Sequence, residues 1–237
     1  MPKKKQPKAT SYKKKIEALS KVSQTITSNL YLEDILKLIV MVTAQAMNSK
    51  ICSLLLLDEE KGELVISATQ SVSEAYNKKP NIKLGEGIAG LVAKENRPIA
   101  VLDVKEDERY INREIAKKEN LCSLLSVPLC VKGKVIGVLN SYTSVKHKFS
   151  KEEIDILTSV ANQAAVVIEN ANLMMKSKMI EEELKTRKVV ERAKGILMKS
   201  QGISEEEAYK KIQRQAMNTR RTMREIAEAI LLAKELE

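Results

Sequence analysis

The chain has 237 residues, enough for one large domain plus a small one. Its 43% apolar content supports a packed core, but with no Trp and a single Phe that core has to be aliphatic and methionine-rich. The net charge is +10, the three cysteines (Cys52, Cys122, Cys130) lack CxxC spacing, no apolar run reaches the ~18 residues of a membrane span, and the first 15 residues have no apolar signal core; neither a disulfide framework, a membrane-spanning helix nor a secretory signal is expected, and a cytoplasmic chain is.

Residues 1–15 hold seven lysines and no acid, and residues 1–10 read as a disordered basic tail. Ile16, Leu19, Val22 and Ile26 give a helical stripe over 11–29; Leu32, Ile35, Leu36, Ile39, Val42 and Ala46 give another over 32–47. The period then changes. "ICSLLLLD" (51–58) and "ELVISAT" (63–69) flank "EEKG" as a hairpin. "QSVSEAYNKKPNIK" reads as an irregular excursion, "GIAGLVAKEN" (87–96) as a short helix, "RPIAVLD" (97–103) as a strand, and "EDERYINREIAKKEN" as a charged loop or helix. "LCSLLSVPLCV" (121–131), "KG" and "KVIGVLNSYTS" (134–144) form the clearest hairpin in the chain.

A long helix follows. Ser150 and Glu153 have the spacing of a capping box, in which each side chain satisfies an orphan N–H of the other residue. Leu157, Ala161, Ala164, Ile168, Ala171 and Met175 continue the stripe begun by Ile154 at spacings of three and four; the register then slips to Met179, Ile180 and Leu184, as at a coiled-coil stutter. Fifty helical residues span roughly 75 Å, more than a small sheet can cover. The spacing predicts that this stripe pairs with a second copy; the alternative is a break near Lys176–Lys178 and a fold back. The connecting helix is placed at 150–188.

These elements describe an antiparallel sheet with its first and last helices on one face, an α+β sensor-sized domain over residues 11–172. "LGEGIAGLVAKENRPIAVLDV" (84–104), "SLLSVPLCVKGKVIGVLNSYTS" (123–144) and "FSKEEIDILTSVANQAAVVIENA" (149–171) resemble the GAF family of small-molecule sensor domains. The resemblance implies that fold and a small-molecule or protein signal, without identifying a ligand.

Some motifs mislead. "GEGIAG" (85–90) spells a dinucleotide-binding G-x-G-x-x-G, but "NKKPNIKL" is no buried parallel strand and the following helix is too short for a crossover. The glycines are expected instead to let the backbone turn tightly into a helix beside the sheet. Kinase activity needs an H-R-D triplet, and the one histidine, His147, lies in "KHKF". Asn140, Phe149, Glu152 and Glu153 partly echo cyclic-nucleotide GAF domains, but no Lys follows Asn140. The cysteines are expected to pack as small apolar residues, with a redox role as the alternative. No nucleophile–base pair or His-rich metal set is present, so no catalytic residue, metal or cofactor is assigned and the chain is expected not to be an enzyme.

The last fifty residues form a third region, 185–237. Val189, Val190, Ala193, Ile196 and Leu197 give the long helix an apolar end, and Gly202 stops it. Ser204 with Glu207 caps a second helix carrying Ala208, Tyr209, Ile212 and Ala216; Thr222 with Glu225 caps a third carrying Met223, Ile226, Ala227, Ile230 and Leu231. Residues 185–224 hold twelve Lys or Arg against four Glu, whereas residues 225–237 are net acidic. Arg192, Lys194, Arg214, Arg220, Arg221 and Arg224, with the Thr222 hydroxyl, form a cationic set suited to phosphates and to stacking on unpaired bases. Tyr209, at a stripe position, is expected in the core, with base stacking as the alternative.

"ERAKGILMKSQGISEEEAYKKIQRQAMNTRRTMREIAEAI" (191–230) resembles the ANTAR domain, the RNA-binding module of bacterial transcription antiterminators. It departs from the family at Ile212-Gln213, where many members have Leu-Arg, so contacts from Gln213 and Arg214 differ from the family pattern. The whole chain is thus expected to be an α+β GAF-like antiparallel sheet with flanking helices, a long coiled-coil helix, and an all-α three-helix ANTAR bundle. The implied function is a signal-responsive antitermination regulator, a homodimer gripping RNA stem-loops. The competing readings are a DNA-binding helix-turn-helix regulator and a dimer scaffold that binds no ligand.

Overall fold

The computed structural model describes residues 32–235. The expected helix over 11–29 and the basic tail lie outside them. The chain divides after Asn172 into two units.

The first unit runs α1 (Leu32–Met47), β1 (Ile51–Asp58), β2 (Glu63–Thr69), α2 (Glu74–Asn77), β3 (Ile82–Lys83), α3 (Gly87–Glu95), β4 (Ile99–Val101), α4 (Arg113–Lys118), β5 (Leu124–Val131) and β6 (Lys134–Tyr142). It ends within α5 (Lys151–Gln201). The strands make one antiparallel sheet in the order β3-β2-β1-β6-β5-β4. The β5–β6 turn is Lys132-Gly133, with φ of 50° and 82°. Positive φ at both central residues gives the twist that a two-residue hairpin loop needs, which is why this hairpin is so legible in the sequence.

β1 reads as an unbroken apolar run because it is central and covered on both faces. Cys52 and Leu54 face a core shared with α1 and α5; Ile51 and Leu55 face a second core with α2 and α3. The expected irregular excursion contains the single turn α2 and the short strand β3. The charged segment closes on the six-residue α4. The glycine motif is structural: a Cβ on Gly90 would lie 2.3 Å from the Lys83 carbonyl oxygen, so only glycine lets α3 approach β3 this closely.

The capping box at the start of α5 is present, with Ser150 N–H donating to Glu153 Oε2 (2.8 Å) and Glu153 N–H to Ser150 Oγ (3.2 Å). α5 is a continuous 51-residue helix, so the break near Lys176–Lys178 is not taken. The expected pairing stripe is corrected. Leu157, Ala161, Ala164 and Ile168 are buried against the sheet of their own domain, and Ala171 packs partly against it. The stripe is spent inside the domain, because one face of a six-stranded sheet needs more apolar cover than α1 supplies. Met175 is exposed, and so are Leu173, Met179, Ile180 and Leu184.

The second unit contains the rest of α5, then α6 (Glu205–Thr219) and α7 (Met223–Glu235). Its core is Val190, Ala193 and Leu197 from α5, Ala208, Ile212 and Ala216 from α6, and Ile226 and Ala227 from α7.

Candidate nucleic-acid interface

In the second unit local chemistry fixes the helix ends. Gly202, at φ 63°, stops α5 in the left-handed conformation that glycine takes without a steric penalty. Ser204 and Glu207 make the expected reciprocal cap, at 2.9 and 3.3 Å. Thr222 and Glu225 make the other, at 2.7 and 3.2 Å. These backbone and hydroxyl donors also hold the Glu207 and Glu225 carboxyls below their usual range.

The small apolar residues Ala208 and Ala216 flank Ile212 on the buried side of α6. That leaves the opposite flank free. Tyr209 is 42% exposed and does not join the core; with Gln213 and Met217 it recurs every fourth residue along one exposed face. Arg214 is exposed on the same helix, and Arg220 and Arg221 are exposed in the α6–α7 turn. Arg192 is exposed on α5. Among the described residues, none of these four arginines makes an ion pair with a carboxylate within 4.0 Å. Arg220 occupies the left-handed C-cap of α6 at φ 54°, a conformation a side-chain-bearing residue adopts at a cost of roughly 1–2 kcal/mol.

Three members of the expected set are engaged internally. Lys194 is only 6% exposed, and its Nζ donates to both oxygens of Glu191 (2.9 and 3.0 Å) and to Glu205 Oε1 (2.7 Å). Glu205, then Glu191, hold its ammonium above the usual lysine range. It fastens α5 to the first turn of α6 and is not a free phosphate ligand; the helical wheel of α5 alone does not disclose the carboxylate of α6. Arg224 donates through Nε to Glu228 and through Nη1 to Glu182, both at 2.8 Å. The Thr222 hydroxyl is taken up by Glu225 (2.8 Å).

In the sheet domain the cyclic-nucleotide echo is not assembled. Asn140 lies on the face shared with Tyr142, whereas Phe149 packs on the opposite core. Glu153 is occupied by the helix cap and by His147 Nε2 at 3.0 Å. Cys52 and Cys122 are buried, with their thiols pushed up by burial, as small apolar packing requires.

Comparison with known proteins agrees with this architecture. The GAF domain family model matches residues 30–169 and the ANTAR domain family model matches residues 179–231. The methyl sulfide methyltransferase-associated sensor of Methanosarcina acetivorans is 26% identical over 172 residues, 70% of this chain and 17% of that protein. The transcriptional regulatory protein PdtaR of Mycobacterium tuberculosis is 52% identical over 52 residues of the C-terminal part, 22% of this chain and 25% of PdtaR. The chain thus spans a quarter or less of these curated relatives. The solved GAF domain of a phosphoenolpyruvate-protein phosphotransferase from Coxiella burnetii matches with a TM-score of 0.63 and 28% identity, over 70% of this chain and 98% of that one.

Proposed function

This chain belongs to the GAF domain family and carries an ANTAR domain after it, and from that premise we propose that it is a signal-responsive regulator that binds RNA stem-loops and acts by transcription antitermination. The observation that carries the reading is the set of exposed arginines that make no ion pair among the described residues: Arg192, Arg214, Arg220 and Arg221, beside exposed Tyr209 and Gln213. Guanidinium groups bind phosphate and stack on bases, and an exposed tyrosine adds a stacking surface, which together suit the unpaired bases of an RNA loop. Binding one RNA fold would then prevent a competing terminator hairpin from forming.

The signal is a small molecule or protein received by the sheet domain. A ligand shifts a conformational equilibrium only as far as it binds one state better, and α5, a helix common to both units, is the element through which such a shift is passed on. We assign the homodimer seam to Leu173, Ile180 and Leu184, exposed and spaced by seven and four, with Met175 and Met179 beside them. Two RNA-binding units held together gain avidity without new contacts. RNA as target places the protein in the cytoplasm. No catalytic role is assigned.

A DNA-reading final helix fits less well. α7 carries Glu225 and Glu228, and Arg224 is already paired with Glu182 and Glu228. The deciding experiment is a titration with a hairpin RNA of two exposed loops against duplex DNA of equal charge, repeated with Arg220 and Arg221 changed to Ala. The hairpin is expected to bind more tightly than the duplex and to lose at least tenfold on substitution. Equal affinity for the duplex, or no effect of the double substitution, overturns the reading.

A further inference from the structure

Two carboxylates stand within the cationic surface of the second unit. Arg224, in the first turn of α7, donates through Nε to Glu228 and through Nη1 to Glu182. Two of its three guanidinium nitrogens are thereby committed, so the paired N–H groups by which an arginine grips a phosphate are not both free. Arg220 and Arg221, a little earlier in the chain, are exposed and make no ion pair among the described residues. One of the three arginines around the α6–α7 turn is therefore neutralised, and in part by an acid on a different helix, α5.

Two ion pairs clasp the later helices of this unit to α5, and they differ. Lys194, 6% exposed between the core residues Ala193 and Leu197, belongs to the fold. The Arg224 side chain is 38% exposed and that of Glu182 49%. Glu182 also precedes Val190, the first buried residue that α5 gives to the bundle. The second clasp thus lies outside the apolar core and opens without breaking it. Exposed ion pairs are weak, because water and salt screen both charges, and a phosphate oxygen takes the place of a carboxylate oxygen on a guanidinium. Lys185 and Arg224 hold the Glu182 carboxyl below its usual range, so at neutral pH it remains the anion that competes. Glu228 lies one turn along the same helix and moves with Arg224. Only Glu182 belongs to another element, so only its distance from Arg224 changes when α5 shifts.

We propose that Glu182 is a built-in competitor for RNA. It occupies Arg224 in the free protein and gives way to an RNA phosphate, so that Arg224 joins Arg220 and Arg221 on the RNA backbone. A shift of α5 that withdraws Glu182 favours the RNA-bound state, and one that presses it onto Arg224 opposes that state. Arg224 extends the cationic turn, while the length of α7 beyond it keeps Glu225 and Glu228. The proposal rests on reading the second unit as RNA-binding and supplies that reading with a means of regulation.

The test is titration of the full chain with the two-loop hairpin RNA over a series of salt concentrations. The proteins are the wild type, Glu182→Gln, Glu181→Gln, Arg224→Gln and the double variant Arg224→Gln with Glu182→Gln. Glu181 pairs with Lys185 on the same turn of α5 and, among the described residues, not with Arg224, so it controls for the loss of one negative charge. Glu182→Gln is expected to tighten binding by roughly threefold or more and to steepen the log–log salt dependence by roughly 0.7–0.9, one phosphate contact. Glu181→Gln is expected to leave affinity close to wild type, and Glu182→Gln to give no gain once Arg224 is replaced, since the effect belongs to the pair. Unchanged or weaker binding by Glu182→Gln, an equal gain from Glu181→Gln, or a gain that persists without Arg224 overturns the competitor role and leaves the regulator reading standing on wild-type binding. RNA binding by none of the five proteins overturns both.

Discussion

At the residue scale, two cations are held in unfavourable states. Arg220 occupies a left-handed C-cap where glycine is the low-strain choice. A strained residue at an exposed cationic turn is the pattern expected when the side chain is kept for a contact. Arg220→Gly should therefore raise the stability of the second unit by up to ~1 kcal/mol while weakening hairpin RNA binding. Thermal denaturation and RNA titration of the same preparation read the two effects. A loss of stability would mean that the arginine serves the fold.

Lys79 gives a pH dependence of known sign. Burial pushes its ammonium down to about 7, whereas an unfolded lysine titrates near ~10.4. Between those values the unfolded chain binds more protons, so folding stability rises with pH across that window and is flat below it. The buried hydroxyls of Tyr76, Tyr110 and Tyr142 are pushed up. They reverse the trend above about 10, where the unfolded tyrosines ionise and the folded ones do not. Denaturant midpoints from pH 6 to 10 should climb in the wild type, and Lys79→Met should remove most of the climb.

At the element scale, the approach of α3 to β3 has no slack. Gly90→Ala would place a methyl group 2.3 Å from the Lys83 carbonyl oxygen, backbone that cannot swing aside as a side-chain end can. Overpacking of this kind costs ~1–3 kcal/mol, measurable as a lowered urea midpoint. The helices of the second unit are specified by local pairs. Both of its capping boxes are visible in the sequence because they join residues three apart. The engagement of Lys194 and Arg224 is hidden there for the converse reason. Besides Glu191 and Glu228, which lie at helical spacing, their partners lie eleven residues away at Glu205 and forty-two away at Glu182, beyond any helical spacing. Tyr209 differs from expectation by one position on its helix, since Ala208 takes the buried place.

At the scale of the whole molecule, the proposed pairing seam and the proposed grip on RNA are linked by valency. Ile180→Glu with Leu184→Glu puts charge into the proposed seam and touches no core residue. The double variant should sediment as a monomer and lose affinity for a two-loop RNA by ~10²-fold or more, while keeping its affinity for a single loop. Wild-type affinity for the two-loop RNA would show that pairing runs elsewhere.

The amino-acid sequence by itself determined what depends on neighbours in the chain. The period of the longer strands and helices, the Lys132-Gly133 turn, the three capping boxes and the concentration of positive charge in residues 185–224 are all set within a few residues, whereas the single turn α2 and the two-residue β3 left no such period. Tertiary structure alone decided which apolar stripe of α5 is consumed by the sheet and which is left exposed. It also decided which cations are neutralised by distant carboxylates, and it brought Ser53, Ser126 and Asn140 abreast, with Lys79 beside the cavity that Asn140 lines. The reason is that burial and charge pairing depend on what packs against a residue, and strands and helices far apart in sequence supply those neighbours only once the chain has folded.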